Sequence, residues 1–226
     1  MDIVEATPEA VLGPLNETER RNAPPRLYLA GDATLLRAGP RVSIVGSRRA
    51  TADGLRRASR LARALANAKV LVLSGLAEGI DTAAHRASID AGGRTVAVLG
   101  TPLDRAYPSE NADLQSLIAR EHLLISQFPP GMPVRPRNFP LRNRVMALIA
   151  HATVIIEAGE TSGSLHQGWE ALQLGRPLFL AASLVGGELA WPDKMRHYGA
   201  QVLSDADDVL DQLPMTEESG LVELGL

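Results

Sequence analysis

Val42-Ser43-Ile44-Val45-Gly46-Ser47-Arg48 is a short, largely apolar run that ends in a glycine, a serine and an arginine. A helical period follows it, because Leu55, Ala58 and Leu61 share one face and arginines lie largely outside that face. Similar runs recur at residues 70–73, 95–99, 123–125, 153–156, 177–180 and, more weakly, 201–203. These runs are continuously apolar, which indicates strands buried on both faces. We therefore predict an α/β fold with a doubly wound, mainly parallel sheet.

Residues 1–40 lack this alternation of strand and helix, and five prolines interrupt them. We predict a short N-terminal extension there, helical or irregular, in which Leu27-Tyr28-Leu29 packs on the main domain. The main domain is placed at residues 41–213. Residues 214–226 are acidic and contain no aromatic side chain, so we predict a flexible tail there.

The amino-acid composition excludes several kinds of site and several protein classes. The chain has 226 residues, of which 45% are hydrophobic, and a formal net charge of −3, so no overall positive field draws it to nucleic acid. The chain contains no cysteine, which excludes disulfide bonds, cysteine-ligated zinc and thiol catalysis. No apolar run approaches the roughly 20 residues of a membrane span, and the acidic N-terminus does not resemble a signal peptide. We expect a cytoplasmic protein.

Positive charge is nevertheless concentrated in one region, because residues 122–156 contain four arginines and no acidic residue. Within this region, Phe139-Pro140-Leu141-Arg142-Asn143-Arg144 precedes an apolar segment at residues 145–150. We predict a loop followed by the first turns of a helix, with Arg142 and Arg144 at the helix N-terminus. The N–H groups and partial positive charge of a helix N-terminus favour an anion, and added arginines strengthen that preference.

Glycine and serine recur after the predicted strands, at the edge where parallel sheets bind their ligands. Glycine lets a backbone approach a ligand closely, and free N–H groups beside hydroxyl groups bind anions. The residues in these positions are Gly46, Ser47, Arg48, Gly75, Gly79, Ile80, Asp81, Gly100, Ser162, Gly163 and Ser164. Together with the arginines they predict a site for a phosphate-rich ligand. The chain has neither a GxxxxGK[ST] loop nor a GxGxxG motif, which argues against ordinary NTPase or NAD chemistry.

Two features leave catalytic alternatives open. Asp81 and His85 stand four residues apart on one helical face. That spacing suits a metal or acid–base pair, and equally a carboxylate favoured by the helix dipole with a histidine paired to it. Glu157 ends a strand, and it is either catalytic or holds the neighbouring loop or Arg144. The other histidines show no metal-ligand spacing, so we predict neither a metal nor a cofactor.

In their order along the chain, these motifs resemble those of the DNA-processing protein A (DprA/Smf) family over roughly residues 24–202. Residues 42–54 are similar to V-x-I-V-G-S-R-x-x-T-x-x-G, and residues 74–85 to S-G-x-A-x-G-I-D-x-x-x-H. Residues 96–111 are similar to A-V-L-G-x-x-x-D-x-x-Y-P-x-x-N, residues 139–144 to F-P-x-R-N-R, and residues 157–165 to E-A-x-x-x-S-G-S-L. The resemblance implies an extended Rossmann-like domain related to the nucleotide-binding SLOG group.

The resemblance also implies a non-enzymatic function. Members of this family bind single-stranded DNA in a groove over these loops, form homodimers through this domain, and help load RecA recombinase during natural transformation. By resemblance we expect DNA contacts in the same groove here. The expected contact residues are Gly46, Ser47, Arg48, Gly75, Gly79, Ile80, Asp81, Gly100, Phe139, Arg142, Asn143, Arg144, Ser162, Gly163 and Ser164.

The chain departs from the family pattern at several positions. Gln127 stands where a glutamate is usual, His166-Gln167-Gly168 replaces x-T-A, and Ala181-Ala182-Ser183 stands where Pro-Gly is frequent. We expect a chain without the winged-helix domain that many members carry. These departures leave the predicted groove intact and bear on partner contacts.

Two other functions stay open. One is a SLOG-type small-nucleotide sensor or hydrolase, since related phosphoribohydrolases carry a catalytic glutamate in a G-T-x-x-E loop. Residues 163–167 place Gln167 at that spacing, and glutamine cannot ionise, which argues against the hydrolase. The other is a scaffold that binds protein partners through its acidic tail.

Overall fold

The computed structural model describes residues 1–214. The predicted acidic tail, apart from Pro214, therefore lies outside the described residues. The strands are β1 (Val4–Ala6), β2 (Leu27–Gly31), β3 (Arg41–Val45), β4 (Leu71–Ser74), β5 (Thr95–Leu99), β6 (Leu123–Ser126), β7 (Ala152–Ile155), β8 (Leu178–Ala181) and β9 (Gln201–Leu203). They form one sheet with the order β1-β2-β6-β5-β4-β3-β7-β8-β9. The seven predicted strands correspond to β3 through β9, so the predicted α/β sheet is confirmed.

The strands from β3 to β9 pair in parallel, and only the two N-terminal strands run antiparallel to their neighbours. The helices are α1 (Pro8–Leu12), α2 (Glu17–Asn22), α3 (Ala52–Asn67), α4 (Ile80–Asp90), α5 (Ala112–Glu121), α6 (Asn138–Ile149), α7 (Ser164–Gln173), α8 (Trp191–His197) and α9 (Asp207–Leu210). Short 3₁₀ helices lie at Ala33–Arg37, Ser109–Asn111 and Ala182–Leu184.

The helices cover both faces of the sheet. Alternate strand residues point to opposite faces, so the two neighbours Leu71 and Val72 belong to different core clusters. The cluster of Val72 includes residues of α3 and α4, whereas the cluster of Leu71 includes residues of α6 and α8. The chain winds from β3 through β4 and β5 to β6, then crosses back to β7 and continues through β8 to β9. The winding direction therefore reverses between β3 and β7, which lie side by side.

The N-terminal extension contributes strands as well as the expected helices. Leu27 and Leu29 are buried, and β2 pairs antiparallel with β6, where Tyr28 lies opposite Ser126. The predicted packing of this segment on the main domain is thus a continuation of the sheet. The sequence did not indicate it, because a five-residue strand that pairs antiparallel with a distant β6 leaves no local pattern.

Helix α6 differs from its prediction. It begins at Asn138, so Phe139-Pro140-Leu141-Arg142-Asn143-Arg144 forms its first two turns and the predicted loop is wrong. The helix has no side-chain cap. Arg142 and Arg144 consequently project from the helix body, and their neighbours are determined by what α6 packs against. No helix in residues 1–214 is both long and apolar enough to span a membrane.

Candidate nucleic-acid interface

A cavity of about 380 Å³ opens at the carboxyl ends of β3 and β7. This is the position where the winding direction of the sheet reverses, which is where open α/β sheets bind ligands. The volume falls within the range of about 300–1,000 Å³ that is usual for small-ligand sites. Ten of the predicted site residues line the cavity: Gly46, Ser47, Arg48, Asp81, Phe139, Arg142, Asn143, Ser162, Gly163 and Ser164.

The other five predicted residues do not line this cavity. Gly75 lines a small adjoining cleft together with Arg48 and Phe139. Ile80 and Gly100 are buried and Gly79 is partly buried. The two glycines make room for close neighbours. A Cβ atom on Gly100, for example, would lie 2.6 Å from the ring of Phe139. Arg144 points toward helix α7, where its Nε lies 3.2 Å from Glu170.

The loop after β3 is tied to the loop after β7. Ser47 N–H donates to the carbonyl oxygen of Glu157 at 2.7 Å. The carboxylate of Glu157 accepts from the backbone N–H of Thr51 at 3.0 Å and from its hydroxyl group at 2.6 Å. Both carboxylate oxygens are thus engaged in fixing this loop, and the ion pair of Arg144 is with Glu170 instead. Of the alternatives for Glu157, its contacts match the one in which it holds the neighbouring loop.

The second wall of the cavity is the N-terminus of α7. Gly163 is the residue before the first helical turn, and the Ser162 hydroxyl group accepts from the N–H of Ser164 at 3.4 Å. The hydroxyl groups of Ser162 and Ser164 lie 2.7 Å apart, and the Asn143 side chain donates to the carbonyl oxygen of Gly163 at 3.0 Å. A helix N-terminus beside two hydroxyl groups is suited to bind an anion.

Arginines and aromatic rings form the rim. Arg48 and Arg49 line the cavity and are exposed to solvent. The guanidinium group of Arg48 lies 5.6 Å from the ring centre of Phe139, and the ring of Tyr107 lies 5.5 Å from the same ring on another side. Tyr107 is 48% exposed. The rim therefore offers positive charge for phosphates and aromatic faces for bases.

Arg142 lies beneath this rim and is only 7% exposed. Its Nη1 donates to the carbonyl oxygens of Gly75 at 2.6 Å and Val98 at 2.8 Å, and its Nε donates to the Asn143 side chain at 2.9 Å. Burial lowers the pKa of Arg142, while the nearby Asp81 carboxylate opposes that shift. The guanidinium group thus fastens α6 to the ends of β4 and β5.

Asp81 and His85 do not bond to each other. The Asp81 carboxylate accepts from the backbone N–H groups of Gly75 at 3.1 Å and Ala77 at 3.4 Å. Burial raises the pKa of Asp81, and Arg142 partly offsets that effect. His85 bonds through Nδ1 to the Thr95 hydroxyl group at 2.7 Å instead. Within residues 1–214, no cluster of three or more His, Asp or Glu residues is placed to hold a metal ion.

Sequence reasoning missed ten of the residues that line the cavity or the adjoining cleft. Arg49, Thr161 and Gln167 line the cavity, and Tyr107 lines the adjoining cleft. Of these residues, Arg49 would have been the easiest to predict from the sequence, because it follows Arg48 in the same strand-end loop. Tyr107 approaches Phe139 only through tertiary structure, since no sequence spacing relates the two residues.

A sequence model of the DNA recombination-mediator protein A family matches residues 10–214. DNA processing protein DprA of Bacillus subtilis is 35% identical to this chain over 192 residues, which make up 84% of this chain. The matched segment covers 65% of the Bacillus subtilis protein, so the chain spans slightly less than two thirds of that relative.

Solved structures agree with the sequence comparison. The X-ray structure of DNA processing protein A from Streptococcus pneumoniae aligns with a TM-score of 0.81 and 32% identity, covering 95% of this chain and 75% of that one. A structure of DNA processing protein A from Helicobacter pylori, which concerns its single-stranded DNA binding mode, aligns with a TM-score of 0.77 and 25% identity. It covers 92% of this chain and 94% of that one.

We predict that Arg142→Met destabilises the protein by about 2–6 kcal/mol, because it leaves the buried carbonyl oxygens of Gly75 and Val98 without a donor, at about 1–3 kcal/mol each. The matched control is Arg144→Met on the same helix, which removes a half-exposed ion pair and should cost about 0–1 kcal/mol. Urea unfolding of both variants measures the difference. Equal losses from the two variants would contradict the anchoring role of Arg142.

We also predict that stability falls as the pH drops from about 6.5 toward 3. The Thr95 hydroxyl group donates to the Val72 carbonyl oxygen, so His85 donates through Nδ1 and its buried Nε2 carries no proton and has no partner. Burial lowers the pKa of His85 to about 3. In this pH range His85 binds a proton in the unfolded chain but not in the folded chain. The free energy of unfolding therefore falls by about 1.4 kcal/mol for each pH unit of acidification.

The measurement is urea unfolding of the parent and His85→Asn proteins at a series of pH values. The free energy of unfolding of the variant should decline less steeply toward acid pH, because the variant lacks the histidine that only the unfolded chain protonates. His197→Asn, a change at an exposed histidine, serves as the control. Identical slopes for the parent and His85→Asn would rule out the buried neutral imidazole as a cause.

Proposed function

This chain belongs to the DNA recombination-mediator protein A family, and we propose that it binds single-stranded DNA independently of sequence, in the cavity between β3 and β7, as a step in DNA processing. One observation carries the proposal. Exposed arginines, a helix N-terminus with two serine hydroxyl groups and an aromatic rim meet at the position where the winding of the sheet reverses. The relative from Helicobacter pylori, whose single-stranded DNA binding mode is described, shares the fold over nearly its whole length.

Phosphates are the part of DNA that the cavity suits best. The N-terminus of α7, with its partial positive charge, lines the cavity together with the hydroxyl groups of Ser162 and Ser164. Arg48 and Arg49 stand opposite, with no acidic partner within residues 1–214. These groups recognise the charge and oxygens of a phosphate, which every nucleotide carries. Binding is therefore independent of sequence and weakens steeply with salt.

The bases of the DNA would stack on the aromatic rim. Phe139 and Tyr107 present aromatic faces beside Arg48, and stacking on such faces tolerates every base. Bases are free to stack in this way only when they are unpaired. The combination of a phosphate pocket and an aromatic rim therefore favours single-stranded over double-stranded DNA.

We propose no enzymatic reaction. Gln167, at the spacing of the catalytic glutamate of the phosphoribohydrolases, is fully buried and engaged by α6. When its amide is oriented to satisfy both neighbours, its nitrogen donates to the Asn143 carbonyl oxygen at 2.6 Å and its oxygen accepts from Ala147 N–H at 3.2 Å. An amide with these contacts supports the junction of α6 and α7 and supplies no general acid or base.

Two partners are proposed on the resemblance to the family. One is a second copy of this chain in a homodimer, and the other is RecA recombinase, which the protein would load on single-stranded DNA. Light scattering of the purified chain should give twice the mass of one chain, and immobilised protein should retain purified RecA. A monomeric mass at micromolar concentration would refute the dimer.

The arginines and the aromatic rim should be separable in binding measurements. We predict that Arg48→Gln with Arg49→Gln weakens oligonucleotide binding by about 10- to 30-fold near 0.1 M salt and lowers the salt slope by about 1.4, because two phosphate contacts are lost. Phe139→Leu should cost about 1–3 kcal/mol of binding free energy with the slope unchanged, because a stacked base is lost instead. Fluorescence anisotropy over a salt series measures both.

The control is Arg20→Gln with Arg21→Gln on α2. Glu19 of that helix pairs with Arg176, which also contacts the carbonyl oxygen of Leu148 near the end of α6. Helix α2 therefore lies at the opposite edge of the sheet from the cavity. If the control pair weakened binding as much as the Arg48 and Arg49 pair, the cavity would not be the DNA site.

A further inference from the structure

Helix α3 has an arginine face that the cavity does not use. Its inward side is formed by Ala58, Leu61 and Leu65, which are buried against the sheet. Its outward side carries four exposed arginines: Arg56, Arg57, Arg60 and Arg63. Asp53 is the one acidic residue of the helix. The outer face of α3 is therefore strongly positive on a chain whose formal net charge is −3.

Contacts within residues 1–214 do not neutralise this face. Arg56 forms an ion pair with Asp53, and Arg57 donates to the Ser183 hydroxyl group at 3.0 Å. Arg60 and Arg63 form neither an ion pair nor a side-chain hydrogen bond with any residue in the described part of the chain. Like charges spaced three or four residues apart destabilise a helix by about 0.2–0.5 kcal/mol per pair. Helix stability therefore does not account for the row.

The row is continuous with the rim of the cavity. Arg48 and Arg49 precede Thr51, the cap of α3, by two to three residues, and Glu157 holds Thr51 in place. From there the helix leads away from the carboxyl edge of the sheet. Arg56, Arg60 and Arg63 follow one another along its outer side over about 10 Å, at 1.5 Å per residue. A strand that leaves the cavity past Arg48 and Arg49 meets this row next.

We propose that Arg56, Arg60 and Arg63, here called the α3 arginine row, bind the backbone phosphates of the same single-stranded DNA where it leaves the cavity. The inference rests on the proposed function, since the cavity supplies the strand. A single line of guanidinium groups matches one phosphate backbone, and no aromatic side chain of α3 accompanies it. The row therefore lengthens the DNA site and adds affinity without reading bases.

The test compares a short with a long oligothymidylate. The variant is Arg56→Gln with Arg60→Gln and Arg63→Gln, in which glutamine preserves helix propensity. The short probe has about 5 nucleotides, near the lower limit of single-strand site sizes, and the long one has about 20, above the upper limit. Circular dichroism and urea unfolding verify that the variant is folded.

With the long probe, the variant should bind about 10- to 100-fold more weakly near 0.1 M salt, and its salt slope should fall by about 2, because three phosphate contacts are lost. With the short probe, which the cavity holds by itself, parent and variant should bind alike. A control triple on α2 and α5, Arg20→Gln with Arg21→Gln and Arg120→Gln, removes the same charge elsewhere and should leave both probes unaffected.

Three outcomes would contradict phosphate binding by the α3 arginine row and leave the assignment of the cavity as the DNA site unaffected. These are no loss with the long probe, an equal loss with both probes, or an equal loss in the control triple. Failure of the parent protein to bind either probe would instead refute the proposed function, and the inference would fall with it.

Discussion

The guanidinium group of Arg142 is buried where β4, β5 and α6 meet, and the geometry of the cavity depends on it. Its hydrogen bonds to the Gly75 and Val98 carbonyl oxygens join two neighbouring strand ends to one helix. A buried charge is tolerated only when it is paired and hydrogen-bonded, so these elements must close on Arg142 and on the nearby Asp81. Gly75 has no side chain because a Cβ atom there would collide with the guanidinium group.

Helix α6, once fixed in this way, positions the rest of the site. Phe139 reaches the rim one turn before Arg142, and Asn143 holds the N-terminus of α7 through the Gly163 carbonyl oxygen. Glu157 provides the corresponding tie on the other side by fixing the loop after β3 through Thr51. The inner arginine is thereby structural, and the outer ones, Arg48 and Arg49, remain available to a ligand. Position in the fold assigns different tasks to the same residue type.

Much of the fold could be predicted from the sequence. Strands β3 to β9 were predicted because fully buried parallel strands are continuous apolar runs, and such runs are recognisable without any partner. The edge that would bind a ligand followed from the same reasoning, since parallel strands end at one edge. The antiparallel β1 and β2 were not predicted, because short edge strands are determined by distant partners. The start of α6 was placed too late because Phe139-Pro140 resembles a loop, whereas the first turn of a helix tolerates a proline.

The sequence by itself determined the alternation of β3 to β9 with helices, the family motifs and the set of residues gathered at the strand ends, because these depend on local composition and period. The tertiary structure decided what each arginine does. Arg142 is buried, Arg144 is paired with Glu170, Arg48 and Arg49 face the cavity, and the arginines of α3 lie on its outer side. Burial and ion pairing depend on side chains that are distant in sequence, so no local pattern can separate an anchoring arginine from a binding one.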